Sequence, residues 1–307
     1  MRIAVVGAGG VGGGFGAALA KAGADVTFIA RGAHLAAMKS AGLKLLSPRG
    51  DIHLVPTQAT EDPSSIGKVD IVLFCVKLWD IESAGERIKP LVGPDTAVIT
   101  LQNGIDAHER LVPILGPRAV MPGVAHISAS ITAPGVITQV GNFSRMTFGE
   151  PDGTKSQRGE NFLAWCQKAG IEGTFSSTVL TDLWMKFILL ASNAGMMSLA
   201  RLPIGKLRDD PDMRPLFLAA YHEVANVGRA KGIALPTDAV DKIVALTSGM
   251  PPAMKASMAL DLDRGNRLEV PWLSGKVVEL GKQFGVATPT HAMLHAMLKP
   301  YAMGPVA

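Results

Sequence analysis

The sequence has little charge, almost no cysteine and no long apolar run, and each shortage excludes a class of protein. Charged residues make up 18% of the 307 residues, below the roughly 25% of typical domains, whereas hydrophobic residues make up 48%. A disordered chain or a charged tail would show the opposite balance. The length predicts two globular domains, or one large one.

The basic residues are neither clustered nor mixed with aromatic side chains. Lys and Arg total 30 against 26 Asp and Glu, which gives a net charge of +4. We therefore expect no nucleic-acid partner. A mild positive balance is compatible with a small anionic ligand.

The two cysteines, Cys75 and Cys166, lie far apart and allow one bridge at most. Their scarcity predicts a reducing, cytoplasmic setting. The longest strongly apolar stretch without charge, residues 187–200, is too short to span a bilayer. Glycines interrupt the apolar residues that follow Arg2, so we expect neither a signal peptide nor a membrane partner.

Short β-branched runs alternate with helical patterns in the first half of the chain. The strand-like runs are 3–6, 26–29, 43–46, 69–76 and 97–101. The helical patterns between them are 11–22, 34–40 and 81–88. This alternation predicts a Rossmann-like, doubly wound parallel sheet. Residues 118–150 carry further strand-like runs with Pro-Gly turns, which predict an antiparallel extension.

The character of the sequence changes near residue 173. Long helical patterns follow, and we find no strand-like run after this point. The helical patterns are 182–200, 213–231, 237–247, 253–263, 270–284 and 290–297. The prediction is an α/β domain over 1–172 and an all-α domain over 173–307.

A glycine-rich motif links the first predicted strand to the first helix. It fits the pattern GxGxxG and consists of Gly7, Ala8, Gly9, Gly10, Val11 and Gly12. In a strand–turn–helix context these glycines allow a tight turn, close approach of a pyrophosphate and packing of helix on strand. The helix N-terminus then faces the phosphates. The alternative is a glycine-rich turn that binds nothing.

The residue after the second predicted strand bears on the choice of cofactor. NAD-binding proteins place an acid there to hold the ribose 2′-hydroxyl, but this chain has Arg31. A guanidinium suits a 2′-phosphate, which favours NADP over NAD. The alternative is an arginine that only faces solvent.

Polar side chains follow the next two predicted strands. Lys77 ends one apolar run and Asn103 follows another. Ligands of open α/β sheets bind outside these carboxyl ends, so the pair indicates a cofactor site. A solvated lysine and a turn asparagine are the alternatives.

Lys186 stands in a strongly apolar helical pattern in which the sequence reveals no acidic partner. A lysine there is costly to bury unless it has a task, and desolvation would make it a ready proton donor. Asn193 lies on the same helical stripe. The alternative is a lysine whose stem packs while its amine reaches water.

Three further features complete the candidates. Ser257 and Glu269 bracket a predicted helix end and turn, where Glu269 could equally be a helix cap. His291 and His295 have no acid nearby, so we expect no metal site.

Several of these segments together match one family in order and spacing. They are GAGGVG at 7–12, Arg31, VKLW at 76–79, QNG at 102–104, DLWMK at 182–186, Ser257 and Met258 with Asp261, Glu269 and Gly275. With these the chain resembles the ketopantoate reductases (2-dehydropantoate 2-reductases) over essentially its full length. The resemblance implies a Rossmann domain followed by a helical domain similar to the C-terminal domain of 6-phosphogluconate dehydrogenase.

The resemblance also implies residue roles in a cytoplasmic, NADPH-dependent enzyme of pantothenate biosynthesis, expected to be a homodimer. Arg31 would hold the 2′-phosphate, and Lys77 and Asn103 would lie along the ribose and nicotinamide. Lys186 would be the general acid that protonates the keto oxygen. Ser257 would bind the carboxylate of a small anionic 2-keto acid, and Glu269 would orient either the reacting centre or the nicotinamide ribose.

The sequence departs from the family at three positions that are usually Asn. They are Leu190, Ala194 and Ile204. The resemblance implies that the side chains at these positions contact the hydroxyl and carboxylate of the substrate, as Asn103 also would. Asn193, next to Ala194, could supply the lost polar contact with the substrate. The same chemistry on a more apolar 2-keto or β-keto acid is therefore an alternative to ketopantoate reduction. A non-catalytic NADP-binding sensor is a third hypothesis, disfavoured because a sensor needs no proton donor.

Overall fold

The computed structural model describes residues 1–305, and the chain divides into two compact units. The first spans Met1–Val179 and the second begins at Leu180. The first unit is α/β and the second is helical, which confirms the predicted fold class.

The first unit contains twelve strands. They are β1 (Arg2–Val6), β2 (Asp25–Ile29), β3 (Leu43–Leu46), β4 (Ile52–Leu54), β5 (Ala59–Thr60), β6 (Ile71–Phe74), β7 (Ala97–Thr100), β8 (Val120–His126), β9 (Ala129–Ala133), β10 (Val136–Gln139), β11 (Arg145–Phe148) and β12 (Glu172–Phe175). Its helices are α1 (Gly10–Lys21), α2 (Gly32–Ala41), α3 (Ile81–Arg87), α4 (Ala107–Leu115) and α5 (Gln157–Lys168).

The main sheet has eight strands in the order β12-β11-β8-β7-β6-β1-β2-β5. The six strands from β8 to β5 in this order run parallel to their neighbours. Strand β11 then pairs antiparallel with β8, so residues 118–150 do extend the sheet in antiparallel fashion. The Pro-Gly turn at residues 134 and 135, however, joins β9 to β10, which lie outside this sheet. The central strands β6 and β7 are buried at every position, as expected of parallel strands covered on both faces.

A second sheet of four strands has the order β4-β3-β10-β9. It contains residues 43–46, which the alternating pattern assigned to the main sheet, so that assignment is wrong. The burial of β3 explains the difference, because its residues alternate between buried and exposed. A strand with one solvent-exposed face does not suit the centre of a parallel sheet that is covered on both faces.

The first unit continues past residue 172 because β12 pairs parallel with β11 and belongs to the main sheet. Phe175 on β12 stacks on Phe148 of β11, with ring centroids 5.6 Å apart. Gly173 sits against Cys166 of α5, where a Cβ would lie 2.8 Å from the cysteine Cβ. The change to helices therefore follows this last strand.

The helices of the second half are α6 (Val179–Ala200), α7 (Ile204–Arg208), α8 (Met213–Ala230), α9 (Ala239–Ser248), α10 (Ser257–Asp263), α11 (Ser274–Phe284) and α12 (Pro289–Leu298). Between Leu180 and residue 305 the structure has no strand. Helix α8 packs against α9, α11 and α12. Its Glu223 caps α12 by accepting hydrogen bonds from the backbone N–H groups of Thr290 and His291, at 2.8 and 2.9 Å.

Helix α6 is long and apolar enough, by length and composition, to cross a membrane. It is the one such helix among the described residues. However, 67% of its most apolar window is buried inside the protein, which is typical of a core helix. Trp184 and Phe187 of this helix meet edge to face at 5.9 Å.

Candidate functional site

Four parallel strands of the main sheet end in one row. In the registers of the β1–β2, β1–β6 and β6–β7 pairs, the row is formed by Ile29, Val6, Phe74 and Thr100. The predicted cofactor residues follow these ends within three positions: Arg31, the glycine loop from Gly7, Lys77 and Asn103. The sheet thus brings together, at one carboxyl edge, side chains that are distant in sequence.

The glycines at the two ends of the loop are required by the protein itself. Gly7 has a φ of +92°, and a Cβ there would lie 2.9 Å from the backbone of Cys75. A Cβ on Gly12 would lie 2.3 Å from the Gly7 carbonyl oxygen and 2.9 Å from Val5. These contacts match the tight turn and the helix-on-strand packing that the motif predicts.

The central glycine of the motif is different. A Cβ on Gly9 would meet no atom within 4 Å. The fold therefore leaves room in front of this backbone, which is where a pyrophosphate would approach. Gly9 is also the N-cap of α1 and has no side chain to cap the first N–H groups, so these remain for an anion. This part of the loop fits a dinucleotide.

The second sheet packs closely against the glycine-rich loop. A Cβ on Gly10 would lie 1.9 Å from the carbonyl oxygen of Ala129 on β9. Ala8 is buried, and Val11 is half-buried against the core of the first unit. The close approach of β9 is a requirement at Gly10 that the motif alone does not reveal.

His34 on α2 ties this loop to the second sheet. Its Nδ1 accepts a hydrogen bond from the Gly135 backbone N–H at 3.0 Å, so Nε2 carries the proton and donates to the Ala8 carbonyl at 2.9 Å. Burial lowers the pKa of His34, although the bond to Ala8 opposes this shift. The neutral ring therefore holds both partners. Sequence reasoning missed His34, because only the fold brings Gly135 to it.

Arg31 is the N-cap residue of α2 and has extended backbone. Its side chain is 77% exposed, and its Nη2 lies 3.6 Å from Oδ2 of Asp80, whose side chain is 30% exposed. The guanidinium is thus placed at the strand edge with one carboxylate beside it. Nothing in the sequence around either residue signals this pairing.

Gln102, next to Asn103, joins the segment that carries Asn103 to the segment that carries Lys77. Gln102 is buried, and its Nε2 donates to the carbonyls of Phe74, at 2.9 Å, and Val76, at 3.2 Å. It therefore fixes the end of β6 to the end of β7. Lys77 is exposed, and its Nζ lies 5.5 Å from the centroid of the Trp79 ring. The sequence showed Gln102 only as part of the QNG segment, because its two acceptors are brought to it by the sheet.

In the second unit, Lys186 lies on α6 and Glu269 precedes α11. Burial lowers the pKa of the Lys186 amine to about 8, and the charge of Glu269 opposes that shift. Glu269 is itself only 5% exposed. The sequence showed no acidic partner for Lys186, and the structure supplies one from a distant segment. An amine with this pKa is able to donate and to recover a proton near neutral pH.

The side chain of Asn193 is hydrogen-bonded inside the second unit. Its side-chain oxygen accepts a hydrogen bond from the Tyr221 hydroxyl at 2.5 Å, and that hydroxyl also lies 3.0 Å from Oγ1 of Thr247. Asn193 and Tyr221 are almost completely buried. Burial raises the pKa of Tyr221 to about 12, so the hydroxyl stays protonated as the donor. This network gives Asn193 a structural role in addition to the predicted substrate contact.

The remaining predicted positions differ in exposure. Ala194 and Ile204 are fully buried, whereas Leu190 is half-buried. Ser257 begins α10 and is exposed. Among the three departures from the family pattern, Leu190 is thus the one with accessible surface.

His291 is part of the core. It is fully buried, its Nδ1 lies 3.2 Å from the Ser274 hydroxyl, and its Nε2 lies 3.2 Å from the Ala220 carbonyl. Burial lowers its pKa to about 4. Within residues 1–305 no three His, Cys, Asp or Glu side chains are grouped so as to hold a metal ion.

Known proteins match both units. The family model for "Ketopantoate reductase PanE/ApbA" matches residues 3–153, and that for its C-terminal domain matches residues 178–302. A 2-dehydropantoate 2-reductase of Caulobacter vibrioides is 30% identical over 98% of this chain and 99% of its own. The structure of a ketopantoate reductase from Ralstonia eutropha JMP134 is 31% identical, with a TM-score of 0.90 over 98% of each chain.

A more distant structure shares the fold. D-mandelate dehydrogenase, solved with NADH and anilino(oxo)acetate, is 21% identical to this chain, with a TM-score of 0.90 over 98% of each chain. At this identity the likeness shows the architecture alone.

The strand-edge site and the two-unit fold define a pyridine-nucleotide-dependent oxidoreductase that acts on a keto group. Both family models match consecutive parts of the chain and together cover most of it. The chain belongs to the ketopantoate reductase family.

Proposed function

We propose that this protein reduces 2-dehydropantoate to pantoate with NADPH, with Lys186 as the general acid. The observation that carries the general-acid assignment is the buried carboxylate of Glu269, whose charge acts on the Lys186 amine in the apolar helix α6. The retained strand-edge residues and the 2-dehydropantoate 2-reductase relatives support the same assignment.

When bound, the reduced nicotinamide supplies a hydride to the 2-keto carbon. The chain's own residues do the rest. The N–H groups at the start of α1 and the open backbone at Gly9 receive the pyrophosphate, and Arg31 receives the 2′-phosphate. Lys77 and Asn103 line the same edge of the sheet. The assignment predicts a stronger affinity for NADPH than for NADH.

Lys186 donates a proton to the keto oxygen as negative charge develops there. Glu269 keeps the amine protonated near neutral pH by opposing the effect of burial. Ser257 offers a hydroxyl to the substrate carboxylate. Solvent then returns a proton to the lysine.

The same chemistry on a more apolar 2-keto acid is a second candidate, and Leu190 favours it. Leu190 lies one helical turn after Lys186 and retains some exposure. A leucine leaves the hydroxyl of ketopantoate without a partner, at a cost of about 1–3 kcal/mol. A branched apolar 2-keto acid carries no such hydroxyl.

The experiment is a panel of 2-keto acids assayed by NADPH oxidation with the purified protein and with Lys186→Ala. We expect turnover of ketopantoate or of a branched analogue, and a fall in kcat of roughly 10²–10⁴-fold in the variant with NADPH binding retained. NADPH binding without turnover of any 2-keto acid would refute the catalytic assignment and leave a nucleotide sensor.

Two further expectations belong to this proposal. We expect the protein to work in the cytoplasm as a homodimer, with a small anionic 2-keto acid as its substrate and with neither a nucleic-acid nor a membrane partner. Sedimentation equilibrium tests the dimer, since a single species with the 32.1 kDa mass of one chain would exclude it.

A further inference from the structure

Asp80 is turned away from the helix that it begins. It occupies the N-cap position of α3, where an aspartate usually accepts hydrogen bonds from the first turn, but its side chain makes no capping bond. Its Oδ2 lies instead 3.6 Å from Nη2 of Arg31. The carboxylate is therefore directed towards the end of β2.

Hydrogen bonds hold the backbone that carries this carboxylate. The Asp80 backbone N–H donates to the Lys77 carbonyl at 2.9 Å, and its carbonyl accepts from the Ser83 hydroxyl at 3.1 Å. The Asp80 side chain is 30% exposed against 77% for Arg31. The guanidinium is thus the freer member of the pair, and it is the one able to move onto a ligand.

A second arginine near this turn, Arg110, already has partners of its own. Arg110 binds the two carboxylate oxygens of Glu82 at 2.7 and 2.8 Å and donates to the Leu78 carbonyl at 2.8 Å. This pairing lowers the pKa of Glu82. Arg110 is therefore engaged with Glu82 and Leu78, whereas Arg31 is paired with Asp80.

We propose that Asp80 is a specificity-determining residue that reduces the preference of this site for NADPH over NADH. The proposal rests on the proposed role of Arg31. A 2′-phosphate bound to the guanidinium would share that cation with the Asp80 carboxylate, 3.6 Å from Nη2, and the two negative charges would repel each other. A ribose 2′-hydroxyl carries no charge and feels no such repulsion. The site thus holds a cation that attracts a 2′-phosphate and, beside it, a carboxylate that repels one.

The test measures binding of two nucleotides that differ only in the 2′-phosphate. Adenosine 2′,5′-bisphosphate and adenosine 5′-monophosphate are titrated calorimetrically into the full chain and into Asp80→Asn. We expect the bisphosphate to bind about five- to tenfold more tightly to the variant at low ionic strength, with the monophosphate unchanged. The gain should shrink in high salt.

Matched variants separate this effect from general charge. Glu86→Gln removes one carboxylate from the same helix, an exposed one that pairs with Lys89, and should change neither affinity. Asp80→Glu retains the charge and should behave like the unmodified protein. Asp80→Ser is a second neutral variant for the case in which asparagine disturbs the turn.

The outcomes distinguish the two proposals. Unchanged or weaker bisphosphate binding in both neutral variants would overturn the role of Asp80, as would an equal change for both nucleotides. If the unmodified protein does not prefer the bisphosphate and Arg31→Ala changes nothing, the NADPH assignment itself fails.

Discussion

The pKa of Lys186 makes a quantitative prediction for the pH dependence of reduction. A general acid must be protonated, and burial lowers the pKa of this amine to about 8. We therefore expect kcat/KM to be level below pH 8 and to fall about tenfold per pH unit above it. An ordinary lysine, with a pKa near 10.4, would show no such fall until much higher pH.

Glu269→Gln should move the falling limb of the kcat/KM profile, the part above pH 8, to lower pH. The carboxylate raises the pKa of Lys186 against the effect of burial, and a neutral amide of nearly the same shape does not. An opposite charge within about 4–6 Å shifts a pKa by roughly 1–3 units. A shift of one unit would reduce the protonated fraction at pH 8 from about half to about a tenth.

The assay is kcat/KM for the best 2-keto acid between pH 6 and 10, with NADPH saturating. The position of the limb reports the pKa of the acid, whereas its height also reports any lost contact of Glu269 with substrate. Glu279→Gln is the matched control, because its exposed carboxylate pairs with Lys276 at 2.8 Å, away from this site. That variant should retain the limb near pH 8.

Two results would refute the reasoning. A limb that stays near pH 8 in Glu269→Gln would show that this carboxylate does not act on the acid. A flat profile to pH 10 in the unmodified protein would show that Lys186 does not donate a proton in the rate-determining step.

Three further perturbations test the remaining parts of the site. Arg31→Ala should raise the KM for NADPH by roughly ten- to a hundredfold, because a hydrogen bond to a charged group contributes about 1.5–3 kcal/mol. The KM for NADH should be nearly unchanged. Equal use of both cofactors by the unmodified protein would contradict this prediction. Leu190→Asn should shift kcat/KM towards ketopantoate by about five- to 150-fold relative to a branched apolar 2-keto acid, and an unchanged ratio would show that Leu190 does not contact the substrate. At pH 8, His34→Gln should lower the midpoint of urea unfolding and weaken the binding of NADPH. Because the folded pKa of His34 lies below 6.5, the stability that its neutral ring adds is complete above pH 6.5 and is lost as pH falls through the folded pKa, so this difference should shrink by pH 5. A difference independent of pH would contradict that view.

Local sequence patterns were enough to predict the fold class and the cofactor loop. A run such as residues 71–74 is buried at every position, and only a parallel sheet covered on both faces provides that environment. The glycines of the loop follow from backbone conformation and steric limits, which depend on neighbours in the chain and in the adjacent strand. The same reasoning failed at residues 43–46, since strand propensity does not specify which sheet a strand joins.

The side-chain pairings were decided only by the tertiary structure. Asp80 meets Arg31, and Glu269 acts on Lys186, although each partner comes from a distant segment. Asn193 shared a helical stripe with Lys186, but the packing of α8 against its neighbours supplied the Tyr221 hydroxyl that holds it. Periodicity fixes which face a residue occupies, whereas the partner on that face depends on how distant elements pack. The sequence therefore determined where the chemistry would be found, and the tertiary structure determined which charges would tune it.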